Sequence, residues 1–218
     1  MASLPRRILS TMATDILPVE ALAEGLVSPA STLGPYRRAD YERLPDEPRH
    51  ELLYGRFYLS PSLLFLHQLI ISYILQRLGQ IARETGGSAV TAPMDVYLSD
   101  HTVVQPDIIY LTPERTALVR DRIEGPPDLV VEVLSPRTAR RDRGEKLRAY
   151  ADLGVREYWL ADGMARQIEF LVNRDGRFEV ALPIDGIYRS EVFPEITLDL
   201  ADLWSEVEKR TPGIPETP

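Results

Sequence analysis

The 218-residue sequence contains no cysteine. Disulfide bonds, thiolate zinc sites, iron–sulfur clusters and cysteine nucleophiles are therefore excluded, and the composition fits a reducing cytoplasm. Positive charge is also scarce, because 25 Lys and Arg stand against 33 Asp and Glu, which gives a net charge of −8. This balance argues against a protein that coats nucleic acid through bulk charge, since that mode of binding rests on neutralising phosphates. A local basic groove remains compatible with it.

The sequence also lacks a hydrophobic run long enough to cross a membrane. Its most apolar stretch covers residues 63–75 and contains His67 and Gln68, whereas a span needs about 20 residues. We interpret this stretch as part of a buried helix and expect no membrane partner. The Gly-rich loop of P-loop nucleotide hydrolysis and the Gly-x-Ser-x-Gly nucleophile motif are missing as well.

Composition divides the chain into three parts. Residues 1–34 are rich in Ala, Ser, Leu and Pro with weak periodicity, which predicts a flexible arm. For residues 35–206 we predict a single domain. Residues 207–218 predict a disordered tail, because three prolines fall among the last seven positions.

Within the domain, short apolar segments alternate with two long helical patterns. Residues 62–85 carry apolar side chains at the spacing of one buried helix face, and Gly86 suits the C-terminal cap. A second helix is predicted over residues 138–153. Residues 129–134 predict a strand buried on both faces, because they are almost entirely apolar. The alternation predicts an α/β fold with a mixed β-sheet flanked by helices.

Two acidic residues stand out against this pattern. Glu132 lies in the middle of the most apolar strand, and Asp107 directly precedes the apolar strand that begins at Ile108. An ionised carboxylate in such a place is costly unless a cation or hydrogen bonds compensate it. If the two strands are neighbours, the carboxylates face one another, and a hard divalent cation relieves their repulsion. For either residue alone, pairing with an arginine at a strand end is the alternative.

The second predicted helix is basic although the protein is acidic. Asp142, Lys146 and Tyr150 recur every four residues and so share one face. Two interpretations are open: a solvated surface laced with ion pairs, or an edge that faces phosphates, with Lys146 directed toward the two carboxylates. The candidates for positioning phosphates are Arg137, Arg140, Arg141 and Arg143.

Taken in order, these residues form a string that resembles a known family. The string comprises Pro106-Asp107, Glu132-Val-Leu-Ser-Pro136, Arg141-Asp-x3-Lys146-x3-Tyr150 and Gly154-Val-x-Glu-Tyr-Trp159. It is preceded by Glu51-Leu-x-x-Gly55 and by Ser60-Pro-Ser with His67. From Tyr41 to Trp204 the chain resembles the Uma family of endonucleases in the PD-(D/E)XK superfamily.

The resemblance implies a restriction-endonuclease-like core with a metal site at the sheet edge. It implies Asp107 and Glu132 as ligands of Mg²⁺ or Mn²⁺, Glu51 as an additional acidic residue, and Lys146 as the catalytic lysine. The superfamily places that lysine two residues after the glutamate, where this chain has Leu134. The resemblance therefore implies a lysine moved to the following helix. The supporting residues that it implies are Ser135, Asp142, Tyr150 and His67.

The function implied is metal-assisted hydrolysis of DNA phosphodiester bonds. The four arginines would position phosphates rather than read bases, and a homodimer is expected by analogy with nucleases that cut two strands. A rival hypothesis is a nuclease-fold module without catalysis, which binds a protein or nucleic acid. The acidic balance and the residue at position 134 favour this rival.

Overall fold

The computed structural model describes residues 33–60 and 64–211. The predicted N-terminal arm therefore lies outside the described residues except for its last two positions, and so do residues 212–218 of the predicted tail. Residues 207–210, which the sequence assigned to that tail, belong instead to the C-terminal helix. Described residues from Leu33 onward form one compact unit.

The strands of the described residues are short, with two to eight residues each. They are β1 (His50–Leu53), β2 (Arg56–Leu59), β3 (Ser88–Thr91), β4 (Val96–Ser99), β5 (Thr102–Val104), β6 (Ile108–Leu111), β7 (Ile123–Glu124), β8 (Leu129–Val133), β9 (Glu157–Asp162), β10 (Gln167–Arg174), β11 (Arg177–Ala181), β12 (Ile187–Arg189) and β13 (Thr197–Asp199).

Helices connect and cover these strands. They are α1 (Arg38–Tyr41), α2 (Phe65–Thr85), a 3₁₀ helix (Pro113–Leu118), α3 (Ala139–Arg141), a π-helical turn (Asp142–Lys146), α4 (Leu147–Asp152) and α5 (Leu200–Arg210). In the part of the chain that the structure describes, none of them has the length and hydrophobicity of a membrane-spanning helix.

The central sheet has six strands in the order β11-β10-β9-β8-β6-β3. Strands β8 and β9 are parallel, whereas β6 and β8 are antiparallel, so the sheet is mixed as predicted. Helix α2 packs on one face, and the π-helical turn with α4 packs on the other. The predicted α/β architecture is therefore confirmed.

Strand β8 alternates between the two faces of this sheet, as any strand does. Val131 and Val133 belong to the core under α2, whereas Val130 belongs to the core that includes Tyr150 of α4. Glu132 follows the same alternation as Val130. The alternation therefore places the Glu132 carboxylate under the π-helical turn and α4.

A second sheet of five strands has the order β2-β1-β5-β4-β7, and its strands alternate along the chain with the first strands of the central sheet. The β1–β2 hairpin turns at Gly55, whose φ of 76° lies in the left-handed region that favours glycine. The chain then passes from β5 to β6 through Gln105, Pro106 and Asp107. This short passage brings the second sheet close to Asp107.

The helix predicted over residues 138–153 is continuous from Ala139 to Asp152, but it is not a regular α-helix. The π-helical turn between α3 and α4 has a wider hydrogen-bonding repeat, a feature that often marks functional sites. Asp142 and Lys146, at its two ends, are both buried. The expected shared face of Asp142, Lys146 and Tyr150 is confirmed, although the local geometry differs.

Candidate active site

Asp107 and Glu132 lie beside one another, as expected from neighbouring strands. Strand β6 pairs with β8 with Ile108 opposite Val131. The backbone N–H of Val133 donates to Asp107 Oδ2 at 2.8 Å, which ties the aspartate to the residue that follows Glu132. Both side chains are almost fully buried, with Asp107 8% and Glu132 4% exposed.

Two side chains of the basic helix bind the Glu132 carboxylate. Lys146 Nζ donates to Glu132 Oε1 at 2.7 Å, and the Tyr150 hydroxyl donates to the same oxygen at 2.8 Å. Burial raises the pKa of the Glu132 carboxyl, Lys146 opposes that shift, and the Asp107 charge adds to it. The site thus contains more negative charge than its cations compensate.

Glu51 reaches the same cluster from β1 of the second sheet. Its Oε1 accepts a hydrogen bond from the backbone N–H of Gln105 at 2.9 Å and lies 2.9 Å from Lys146 Nζ. Arg141 lies 3.6 Å from Glu51 Oε2, with its guanidinium over the ring of Tyr58. One lysine therefore links an acidic residue from each sheet.

Lys146 is a buried counter-ion. Besides Glu132 and Glu51, the Asp142 carboxylate lies 3.8 Å from Nζ. Burial alone would lower the pKa of Lys146, but the charges of these three carboxylates outweigh it and raise that pKa. The ammonium therefore stays charged. An ammonium has three N–H donors, and the two contacts below 3 Å occupy two of them.

His67 joins the cluster from the first turn of α2. Its Nε2 lies 3.2 Å from Asp107 Oδ2, and its side chain is 6% exposed. This distance places the ring of His67 within ion-pair range of the Asp107 carboxylate. His67 and Val133 thus fix one oxygen of Asp107 and leave Oδ1 without a hydrogen-bond partner among the described residues.

The arginines of the basic helix separate into two groups. Arg141 lies at the site, whereas Arg143 points away from it and pairs with Glu169 at 2.6 Å. Arg137 and Arg140 are exposed and form no ion pair within residues 33–60 and 64–211. Of the two interpretations that the sequence left open, the ion-paired surface therefore applies to Arg143. Arg137 and Arg140 have no such pair among the described residues and are available to bind another charge.

A small cavity of about 40 Å³ opens at the cluster. Asp107, Glu132, Glu51, Lys146, His67 and Ser135 are among its lining residues. This volume exceeds the 10–15 Å³ or so that one water molecule needs, so an ion with a few waters fits. The Ser135 hydroxyl lies 3.0 Å from that of Thr138 at the start of the basic helix.

The donor set suits a hard cation. Asp107 and Glu132 each keep one oxygen without a hydrogen bond among the described residues, while donors fix the other oxygen. The described part of the chain holds no cage of three or more His, Asp or Glu side chains around one point. A two-carboxylate site of this kind fits Mg²⁺, which fills its remaining positions with water and phosphate oxygens.

The sequence analysis does not identify two residues of this site. Gln105 could have been found, since it directly precedes Pro106-Asp107, and its backbone N–H holds Glu51. Arg49 gives no signal, because it lies between a proline and a strand without any periodic pattern. Both residues also line a second cavity of about 360 Å³ next to the first.

We expect the Tyr150→Phe variant to lower the free energy of unfolding by about 1.5–3 kcal/mol, the range for hydrogen bonds to charged groups. The variant removes a buried donor from Glu132 without changing the shape of the ring. Urea unfolding measures the loss. Tyr110→Phe is the matched control, because that buried hydroxyl has a weak contact of 3.4 Å with Thr85. Equal losses for both variants would contradict a special role for Tyr150.

Comparisons with known proteins find a matching family model and a shared fold. Residues 38–202 match the Uma2 family model, which is described as "Putative restriction endonuclease". The chain is also similar to the crystal structure of "a putative nuclease belonging to DUF820" from Anabaena variabilis, with 20% identity and a TM-score of 0.68. That similarity covers 79% of this chain and 99% of the other, and it shows a shared fold. No match is found among curated proteins.

Proposed function

Because this chain belongs to the Uma2 family of restriction-endonuclease-like nucleases, we propose that it is a metal-dependent endonuclease that hydrolyses DNA phosphodiester bonds. The observation that carries the proposal is the pair of adjacent buried carboxylates, Asp107 and Glu132, each with one oxygen left for a cation. The chemistry proposed is hydrolysis rather than transfer, since the cavity beside them has room for water.

In this proposal, Asp107 and Glu132 hold Mg²⁺ or Mn²⁺. The bound ion would supply Lewis acidity toward the phosphate and a more acidic water. Val133 and His67 orient Asp107, and Lys146 and Tyr150 orient Glu132, so each ligand is set before substrate arrives. Preorganised ligands need little rearrangement during the reaction, which is how such sites stabilise developing charge.

Lys146 keeps two roles in this arrangement. Its charge holds Glu51 and Glu132 together, and its third N–H donor is free to bind the attacking water or a phosphate oxygen. Leu134 occupies the position at which the superfamily lysine is expected, so the helix supplies the only lysine within the described cluster. Glu51 acts through Lys146, as an acceptor that fixes the ammonium.

DNA is the proposed partner, with the backbone held by Arg137 and Arg140. These exposed guanidiniums lie just before the π-helical turn and have no internal partner in the described chain. They would contact phosphates without reading bases. Replacing both with glutamine is expected to weaken binding to all duplex sequences alike and to reduce its dependence on salt.

The direct test is cleavage of supercoiled plasmid, linear duplex and single-stranded DNA with Mg²⁺ or Mn²⁺ and with EDTA. We expect metal-dependent cleavage of at least one substrate. In parallel, calorimetric titration of Mg²⁺ with and without a DNA duplex measures the metal site itself. Intact DNA in every mixture, together with no saturable metal binding, would overturn the proposal in favour of a non-catalytic module of the same fold.

We also propose that the active form is a homodimer, by analogy with nucleases that cut two strands with two subunits. Sedimentation velocity over a wide range of protein concentration tests this. A concentration-independent monomer, with and without DNA, would remove the dimer while leaving the metal site untouched.

A further inference from the structure

The second cavity is a separate space that shares a wall with the catalytic cluster. Arg49 and Gln105 line both cavities. At about 360 Å³ the second cavity lies in the range of small-molecule sites, roughly 300–1,000 Å³, whereas the first at about 40 Å³ admits only an ion and waters. The two volumes differ enough to suggest different occupants.

Arg49 marks the boundary between the two cavities. Its guanidinium forms no ion pair among the described residues, whereas Arg122, the other arginine that lines the larger cavity, is paired with Asp95. A planar guanidinium with unused donors is suited to a phosphate, which it can bind through two parallel hydrogen bonds. A phosphate held there lies between the catalytic cluster and the larger cavity.

Another part of the lining of the larger cavity has the opposite character. Asp46, Glu47 and Asp121 line it, and their carboxylates have no ion-pair or hydrogen-bond partner in the described part of the chain. Pro45 and Met94 add apolar surface. Such a wall repels a second phosphate, but it suits a flat base whose exocyclic amino group donates to a carboxylate, as Asp and Glu do with cytosine.

Unpartnered polar atoms elsewhere in the lining of this cavity also point to a ligand. Gln105 donates through Nε2 to Asp95 at 2.8 Å, which leaves its Oε1 as an acceptor, and this atom has no partner. His50 Nδ1 has none either. Buried polar groups in native proteins are nearly always hydrogen-bonded, so a wall with two unpartnered groups beside a cavity indicates an occupant.

We propose that this cavity binds one nucleotide of the substrate, with Arg49 on its phosphate and the acidic wall around a base that carries an exocyclic amino group. Adenine, cytosine and guanine carry such a group and thymine does not. The proposal rests on the proposed nuclease function. It adds a base preference next to the cleaved bond, and it links that base to catalysis because Gln105 both lines the cavity and holds Glu51.

The test measures, by NMR or calorimetry, the binding of the four deoxynucleoside 3′,5′-bisphosphates to the full chain in EDTA. These probes carry a phosphate on each side of the sugar, so the strand direction need not be assumed, and EDTA prevents cleavage. We expect at least one amino-bearing nucleotide to bind about 5-fold or more tightly than the thymidine compound. Equal binding of all four, or no binding, would overturn the proposal.

Two variants separate the two halves of the subsite. Arg49→Gln is expected to weaken all four probes by a similar factor of about 5 or more and to leave their order unchanged. The triple variant Asp46→Asn, Glu47→Gln, Asp121→Asn is expected to bring the four affinities within about 2-fold of each other. These three carboxylates are exposed and unpaired, so folding is preserved. Arg83→Gln, on the exposed surface of α2, is the control for loss of one positive charge.

Failure of the subsite and failure of the nuclease function give different results. If DNA is cut but the four nucleotides bind alike, the base preference is wrong and the nuclease function stands. If the nucleotides bind with the expected preference while DNA stays intact, the subsite stands and the cleavage proposal fails. If the Arg49→Gln variant lost the base preference while the triple variant kept it, Arg49 rather than the acidic residues would read the base. That result would overturn the proposed division of roles.

Discussion

Lys146→Met is expected to lower the free energy of unfolding by about 3–5 kcal/mol, the cost of leaving buried charges without their partner. The methionine fills most of the space of the lysine stem but supplies no charge. Glu132, Glu51 and Asp142 would then face one another in a site where Lys146 is only 3% exposed. Urea unfolding in EDTA measures the effect. Millimolar Mg²⁺ is expected to restore more stability to this variant than to the wild type, because a cation can replace the missing charge.

Arg143→Met is the matched control for that experiment. Arg143 also lies in the π-helical turn and also pairs with acidic side chains, but it is 41% exposed and its partner Glu169 is 44% exposed. Exposed pairs of this kind contribute about 1 kcal/mol or less. If Lys146→Met cost no more than Arg143→Met, the acidic cluster would not depend on Lys146 as described.

Asp107→Asn is expected to reduce metal-dependent DNA cleavage by about 10³-fold or more while leaving the fold intact. The carboxamide oxygen can still accept from the Val133 N–H, so the local structure survives. The NH₂ group replaces the oxygen proposed for the cation, and a donor cannot bind a metal ion. Losing the several kcal/mol that a metal contributes corresponds to this factor, at 1.36 kcal/mol for each tenfold change.

The experiment compares cleavage rates and Mg²⁺ affinity in parallel. Asp100→Asn is the control, since Asp100 is an exposed aspartate paired with Arg37 on the surface. Saturable Mg²⁺ binding is expected to disappear in Asp107→Asn and to persist in Asp100→Asn. A cleavage rate within about twofold of the wild type in Asp107→Asn would remove this residue from the mechanism.

The sequence predicts the central part of the site because its signal is local and simple. Glu132 interrupts an apolar strand, Asp107 begins another, and the pairing of β6 with β8 brings them together. Glu51 is a different case, since nothing in its own segment marks it, and only the family resemblance suggests it. Its place at the site depends on how the second sheet meets the first, which no periodicity encodes.

The elements that the sequence misses are short or irregular. Strand β3 is the four-residue segment Ser-Ala-Val-Thr, and β7 has two residues, so neither contains enough residues for an alternating pattern. The π-helical turn has the amino-acid composition of an ordinary helix. Its wider hydrogen-bond repeat is set by packing against the sheet, so composition does not predict it. The larger cavity, with Arg49 in its lining, forms where separate loops meet. No single segment of the sequence carries a pattern that predicts such a contact.

The π-helical turn also constrains the length of the chain. Each residue of a π-helical turn rotates the side chains by somewhat less than the 100° or so of an α-helix, so removing one residue between Asp142 and Lys146 would turn Lys146 away from Glu132 or turn Asp142 out of the cluster. Substitutions at Arg143 or Gly144 alter only outward-facing positions, because Arg143 is exposed and a side chain added at Gly144 meets open space. Between these two buried ends, natural variation should therefore favour replacement over deletion, and an alignment that inserts a gap here would misplace the lysine.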